Sequence, residues 1–239
     1  MKRITIIATA LCLSLMATGC VANKKAPAVT TEAATAGTTA ETTASHSVEV
    51  ELIKLFSHVE GDFEIATVVP KITVDGKEAT EINAALSEHI KKEYKLEMDG
   101  VNADGMSTRI AWGAKDNTLS IIILANDTST DYFTAEVFNY DLDTLKNLDD
   151  SEVTKRLGMT DDEFFSKTTE IIKKHCEGSG YDLKKSLEAV KYEKITPFIM
   201  PDGNPGVLGC ICYGEDSQFS GLESMRCFNM KTMERASFS

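Results

Sequence analysis

The chain has 239 residues and a formal net charge of −12, with 25 basic against 37 acidic side chains. A surface this acidic repels polyphosphate backbones and anionic headgroups, which argues against nucleic acid as a partner. It suits solubility or a cationic partner, and the length is enough for a sizeable core without disulfide staples.

Met1 to Cys20 reads as a lipoprotein signal. Lys2 and Arg3 form a charged start, Ile4 to Met16 an apolar run, and Ala17-Thr18-Gly19 a small-residue cleavage site before Cys20. The run of about thirteen residues is too short to span a bilayer, which takes about twenty. Lipidation of Cys20 is therefore expected, and its two acyl chains would give stable membrane anchoring. Cleavage removes Lys2 and Arg3 and leaves 23 basic against 37 acidic residues, a charge of −14. No other stretch is apolar for long enough to cross a membrane. Everything after Cys20 is expected on the extracellular side.

Residues 21–47 read as a disordered tether. Ala26 to His46 holds seven Thr and seven Ala with almost no large apolar side chain, so it buries too little surface to fold. Its root-mean-square span is about 28 Å.

Residues 48–239 are predicted to form one α+β domain of about 190 residues. Val48 to Leu52 alternates as a strand, and Phe63 to Val69 forms a second, with its ladder ending at Pro70. Ile72 to Val74 are expected to extend it to the Asp75-Gly76 turn. Thr80 is expected to cap a helix to about Lys95, with Ile82, Leu86, His89 or Ile90, and Tyr94 at helical spacing and His89 beside that stripe, exposed or packed at its edge rather than a ligand. A meander follows: about Ser107–Gly113, Thr118–Ala125 and Tyr132–Tyr140. The middle strand is apolar on both faces, so it should be central with a helix on at least one side.

Asp141 and Asp143 read as turn residues, because the glycine and distal glutamate of a calcium loop are missing. A short helix is predicted over about Ser151–Leu157, closed by Gly158. Thr160-x-x-Glu163 is a capping box for a longer helix to about Lys174, carrying Phe164, Phe165, Thr168, Ile171 and Ile172. His175 and Cys176 at its end diverge by about 100°, so they do not form a dyad. A cationic His175 at a helix C-terminus is expected instead. Asp182 caps a further short helix with Leu183, Leu187 and Val190, and strands at Ile195–Met200, Val207–Tyr213 and Leu222–Met230 close the chain.

Four cysteines remain after Cys12 and Cys20 are set aside: Cys176, Cys210, Cys212 and Cys227. Three readings stay open for them: one or two disulfides, free thiols or a metal site. Cys210 and Cys212 face the same side of a strand and do not bond each other easily. Cys227, on the next strand, is the natural partner for one of them. No nucleophile, metalloprotease, phosphate-loop or dinucleotide motif occurs. The sequence thus nominates no catalytic, cofactor-binding or metal residues. Asp141 with Asp143, and Asp149 with Asp150, are acidic pairs that glycan hydrolysis could use, but they read more simply as turns and caps.

The order of segments resembles a known family. It is carried by Pro70 after an apolar strand, Ile82-Asn83 opening the first helix, the Ile-rich strand Leu119 to Leu124, and Phe138-Asn139-Tyr140-Asp141-Leu142-Asp143-Thr144. Leu148-Asp149 and Pro197-Phe198 add to it, while Leu145 stands where the family usually has glycine. These features are similar to the extracellular domain of RsiV-type anti-sigma factors and to the N-terminal module of PdaC-type peptidoglycan deacetylases. The resemblance implies an antiparallel sheet with a packed helix, and work at the cell envelope by binding. RsiV-type proteins bind lysozyme. Neither sigma-factor inhibition nor deacetylation carries over, since no cytoplasmic segment, spanning helix or deacetylase domain is seen.

The sequence thus predicts a lipoprotein held at the cell membrane through Cys20. Its acidic domain would bind a cationic protein such as lysozyme, or peptidoglycan. The alternative is an enzyme acting on wall polysaccharide through paired carboxylates.

Overall fold

The computed structural model describes residues 46–60, 63–94, 106–127, 132–190 and 194–238. Cys20, the signal and nearly all of the tether lie outside the described residues. So do residues 99–105, expected as a polar loop.

The fold is α+β, with three antiparallel sheets and four helices. The first sheet pairs β1 (Val48–Glu60), β2 (Phe63–Val74) and the short β3 (Lys77–Glu78). Strand β2 runs straight through Pro70, against expectation, with Pro70 opposite Leu52. The reason lies in strand parity. Val68 N–H donates to Thr108 Oγ1 at 2.9 Å and Ile72 N–H to Asn83 Oδ1 at 2.8 Å, both away from β1. Pro70 shares their parity, so its missing N–H removes no bond from the β1 ladder.

Helix α1 (Thr80–Glu93) follows. Thr80 is its first helical residue rather than its cap, which is Ala79 without a side-chain bond. Ile82, Leu86 and Ile90 are buried at the expected spacing, and Tyr94 beyond the helix is buried with them.

The second sheet is the predicted meander, β4 (Met106–Lys115), β5 (Thr118–Asp127) and β6 (Tyr132–Asp141), with β5 central. Leu119, Ile121 and Ile123 pack against α1, and Ile122 packs in the opposite direction. The opposing layer there is another sheet, not a helix. It comprises β7 (Ile195–Ile199), β8 (Pro205–Cys212), β9 (Glu223–Asn229) and the two-residue β10 (Glu234–Arg235). Its Phe198, Leu208 and Cys227 meet Ile122 and Ala135.

Between α2 (Asp150–Arg156) and α4 (Leu183–Glu188), α3 (Asp161–Cys176) covers the outer face of that last sheet. Its Phe164, Ile171 and Ile172 pack on Ile195, Val207, Ile211 and Phe228. The predicted capping box of Thr160 and Glu163 is formed, and Asp149 and Asp182 cap α2 and α4. In α4 it is Ser186, not Leu183, that is buried. The core is thus layered helix, sheet, sheet, helix.

The two central sheets are pinned by polar groups as well as by apolar packing. Ser120 Oγ donates to Asn139 Oδ1 at 2.7 Å and accepts the Ile199 N–H at 2.8 Å, while Asn139 Nδ2 donates to Pro197 O at 2.9 Å. Approach is close enough that a Cβ on Gly113 would lie 2.3 Å from Met200 O. No helix among the described residues is long and apolar enough to cross a membrane.

Candidate functional site

Two concavities carry chemistry. The first is a cleft of about 310 Å³ where β4, β5 and β6 meet β9 and β10, and its walls include Arg109, Asn126, Phe133, Arg226 and Arg235. The sequence holds five arginines. Arg3 belongs to the signal, and Arg156 is paired with Asp141 at 2.6 Å and Glu152 at 2.9 Å. The other three arginines converge on this cleft. Among the described residues none of the three has a carboxylate partner, although acidic side chains outnumber basic ones.

Arg226 is the centre of the arrangement. It is only 7 % exposed, its Nη2 donates to Tyr213 Oη at 2.8 Å, and its guanidinium carbon stands 5.6 Å from the Phe133 ring centroid. Its Nε is buried without a partner, as is Asn126 Oδ1 on the same walls. A buried guanidinium without a counter-ion is costly, by several kcal/mol in an apolar setting.

The surrounding groups register this unbalanced charge. Partial desolvation, then the Arg226 charge, pulls Arg235 below its ordinary value. His175 is likewise pushed down, first by burial and then by Arg235 and Arg226. Both effects disfavour the cationic form expected for His175 at the helix end. The His175 ring stacks on Tyr181 at 5.3 Å and meets Phe228 edge-on at 5.0 Å. An anion entering the cleft would meet donors of the kind that clamp carboxylates and phosphates.

The second concavity, of about 610 Å³, lies beside α4 and the far end of β8. Cys212, Tyr213, Glu188, Glu223, Lys185 and Lys194 line it. Here the structure gathers Cys210 and Cys212, with Cys176 adjoining through the electrostatic influence of Cys212. Cys227 stands apart, packed between the sheets with Phe198 and Leu208. Cys176, Cys210, Cys212 and Cys227 are all buried free thiols, and Cys227 is bonded to neither Cys210 nor Cys212. Burial pushes the thiols of Cys210 and Cys227 up to about 12. Glu223 is held below the usual carboxylate range by Lys194, whose Nζ is 2.6 Å from Oε1.

The acidic pairs are largely engaged within the fold. Asp141 holds Arg156 and Thr144, Asp143 meets Asn117 and His46, and Asp149 caps α2. Asp150 is raised to about 6, first by burial and then by Asp149, but it lines neither concavity. His89 is packed at an edge as expected, against Glu136 and Phe138. His46 belongs to the fold rather than to the tether, with ring nitrogens 2.6 Å from Asp75 and 2.9 Å from Asp143.

Sequence reasoning missed the arginine cleft. Arg109, Arg226 and Arg235 are far apart in the chain and share no motif, and only the packing of the last sheet onto the meander assembles them. No protein-family model matches the chain, and no curated protein matches it.

Proposed function

We propose that the protein is a surface lipoprotein, anchored at the membrane through Cys20, whose folded part binds an anionic component of the cell envelope in the arginine cleft. The observation that carries this reading is Arg226, a buried guanidinium without a carboxylate partner, flanked by Arg109 and Arg235. Of the ligands foreseen from sequence, a cationic protein such as lysozyme has the net charge and the RsiV-type resemblance in its favour, but no feature of the cleft. Cell-wall glycopeptide, with carboxylates among hydroxyl and amide groups, suits the arginines and the unpaired Asn126 oxygen.

The resemblance to RsiV-type and PdaC-type modules supports the envelope setting. Leu145, where that family has glycine, sits at φ +56°, the left-handed conformation that glycine adopts freely. Binding is favoured over hydrolysis because Glu223, one of two carboxylates at the larger cavity, is held below the usual range by Lys194 rather than raised as a general acid.

The test is calorimetric titration with soluble peptidoglycan fragments and, separately, with lysozyme, at low and moderate salt. Saturable binding of fragments supports the reading. Binding of lysozyme alone returns the acidic face to the leading position. Loss of fatty-acid labelling in Cys20→Ser tests the anchor.

A further inference from the structure

We propose that Cys210, Cys212 and Glu223 form a binding site for a borderline-soft divalent cation of the zinc class. The inference is independent of the proposed function, since the arginine cleft shares no lining residue with the cavity beside this cluster.

The donor atoms of the three residues all lie within 4.8 Å of one another. In a tetrahedral zinc site, bonds of about 2.3 Å to sulfur and 2.1 Å to oxygen place donor atoms roughly 3.5 Å apart. Side-chain rotation of about 1 Å closes that gap with the backbone unmoved. The backbone is well held: Cys212 and Glu223 face each other in the β8–β9 ladder, and the Cys212 N–H donates to Ser186 Oγ at 3.0 Å. Two sulfurs and one carboxylate leave a fourth position, and the adjacent cavity of about 610 Å³ gives it room for water or a ligand.

The thiols have no easy alternative with each other. Two residues apart on one strand, their Cα atoms are about 6.7 Å apart with parallel Cβ directions. That is the far edge of disulfide geometry, and the directions are wrong for it.

Charge closes as well. Binding breaks two S–H bonds, releases two protons to solvent and forms two sulfur–metal bonds. Two thiolates, one carboxylate and a dication sum to −1, which the ammonium of Lys194 balances. Lys194 now occupies the Glu223 carboxylate at 2.5 and 2.6 Å, and its side chain is 44 % exposed, so it can swing aside. It is the competitor that sets the affinity.

The experiment is titration of the reduced full chain with Cd²⁺ and Zn²⁺, followed by thiolate-to-metal absorbance, proton release and native mass spectrometry. The expected result is one ion per chain and about two protons released per ion. Cys210→Ser and Cys212→Ser should each weaken binding at least 10-fold, and Cys227→Ser should leave it unchanged. Glu223→Gln, which keeps the shape of the site, guards against misreading a folding defect and should weaken binding while melting normally. The proposal is overturned by absence of stoichiometric uptake, by equal affinity in Cys210→Ser and the parent, or by a native disulfide that uses Cys210 or Cys212.

Discussion

The Arg226 guanidinium is tied to the Tyr213 hydroxyl at 2.8 Å, its one hydrogen-bond partner among the described residues, while its Nε stays buried and unpaired. A neutral acceptor does not discharge a buried cation. The arrangement is a standing expense to the free protein and an asset to a complex.

Arg226→Met keeps the apolar stem against Phe133 and removes the charge. Relief of an unsatisfied buried donor is worth about 1–3 kcal/mol, less about 0.5–1 for the lost contact with the ring. The unliganded variant should therefore melt a few degrees higher than the parent. Its affinity for an anionic fragment should fall roughly 10- to 100-fold, the worth of a charged hydrogen bond. Differential scanning calorimetry beside binding titration checks both. A variant that is less stable, or binds equally well, contradicts the assignment.

The Ser120 hydroxyl joins the two central sheets by serving both Asn139 and the Ile199 N–H. Ser120→Ala leaves both groups buried without a partner, at a cost of about 1–3 kcal/mol. The expected fall in Tm is roughly 2–10 °C. Asn139→Ala should add little in the double mutant, because the two share one network.

At Leu145 the backbone, at φ +56°, inverts the ordinary order of small residues. An L side chain in this region costs roughly 1–2 kcal/mol that glycine avoids. Both Leu145→Ala and Leu145→Gly lose contact with the first core. Leu145→Gly should nevertheless be the more stable of the two, by about 1 kcal/mol in urea denaturation. The reverse order would mean that the turn relaxes out of the left-handed region.

His46 sets the pH dependence of the first folded turn. Hydrogen bonds to Asp75 and then Asp143 raise it above its ordinary 6.5, and the same contact lowers Asp75 below 3.8. The histidine contribution is fully present below the unfolded value and is lost as pH rises through the raised native one. The Asp75 contribution is lost as pH falls through its lowered value. The clamp is therefore strongest from about pH 4 to 6.5. The melting difference between the parent and His46→Gln should be largest in that window and vanish at alkaline pH.

Much of the architecture is legible in the sequence because local and global signals agree. The capping box at Thr160, the turn at Asp75-Gly76 and the doubly apolar strand around Ile122 each dictate their element from nearby residues. Pro70 is misread because a missing donor matters only on the paired edge, and parity decides that from residues elsewhere in the fold. His175 is misread because the helix-end rule takes no account of two arginines arriving from β9 and β10. The arginine cleft itself is illegible for the same reason: Arg109 lies far along the chain from Arg226 and Arg235, across most of the fold, and they become neighbours only through long-range packing. The thiol cluster was half legible, since strand parity aligns Cys210 with Cys212 but says nothing of Glu223 opposite.

The most direct test of the account is calorimetric titration of the protein with one soluble peptidoglycan fragment in two forms, carboxylates free and carboxylates amidated. The account predicts saturable, salt-sensitive binding of the free acid, lost on amidation and lost in Arg226→Met. Equal binding of both forms, or binding unchanged in Arg226→Met, would contradict it.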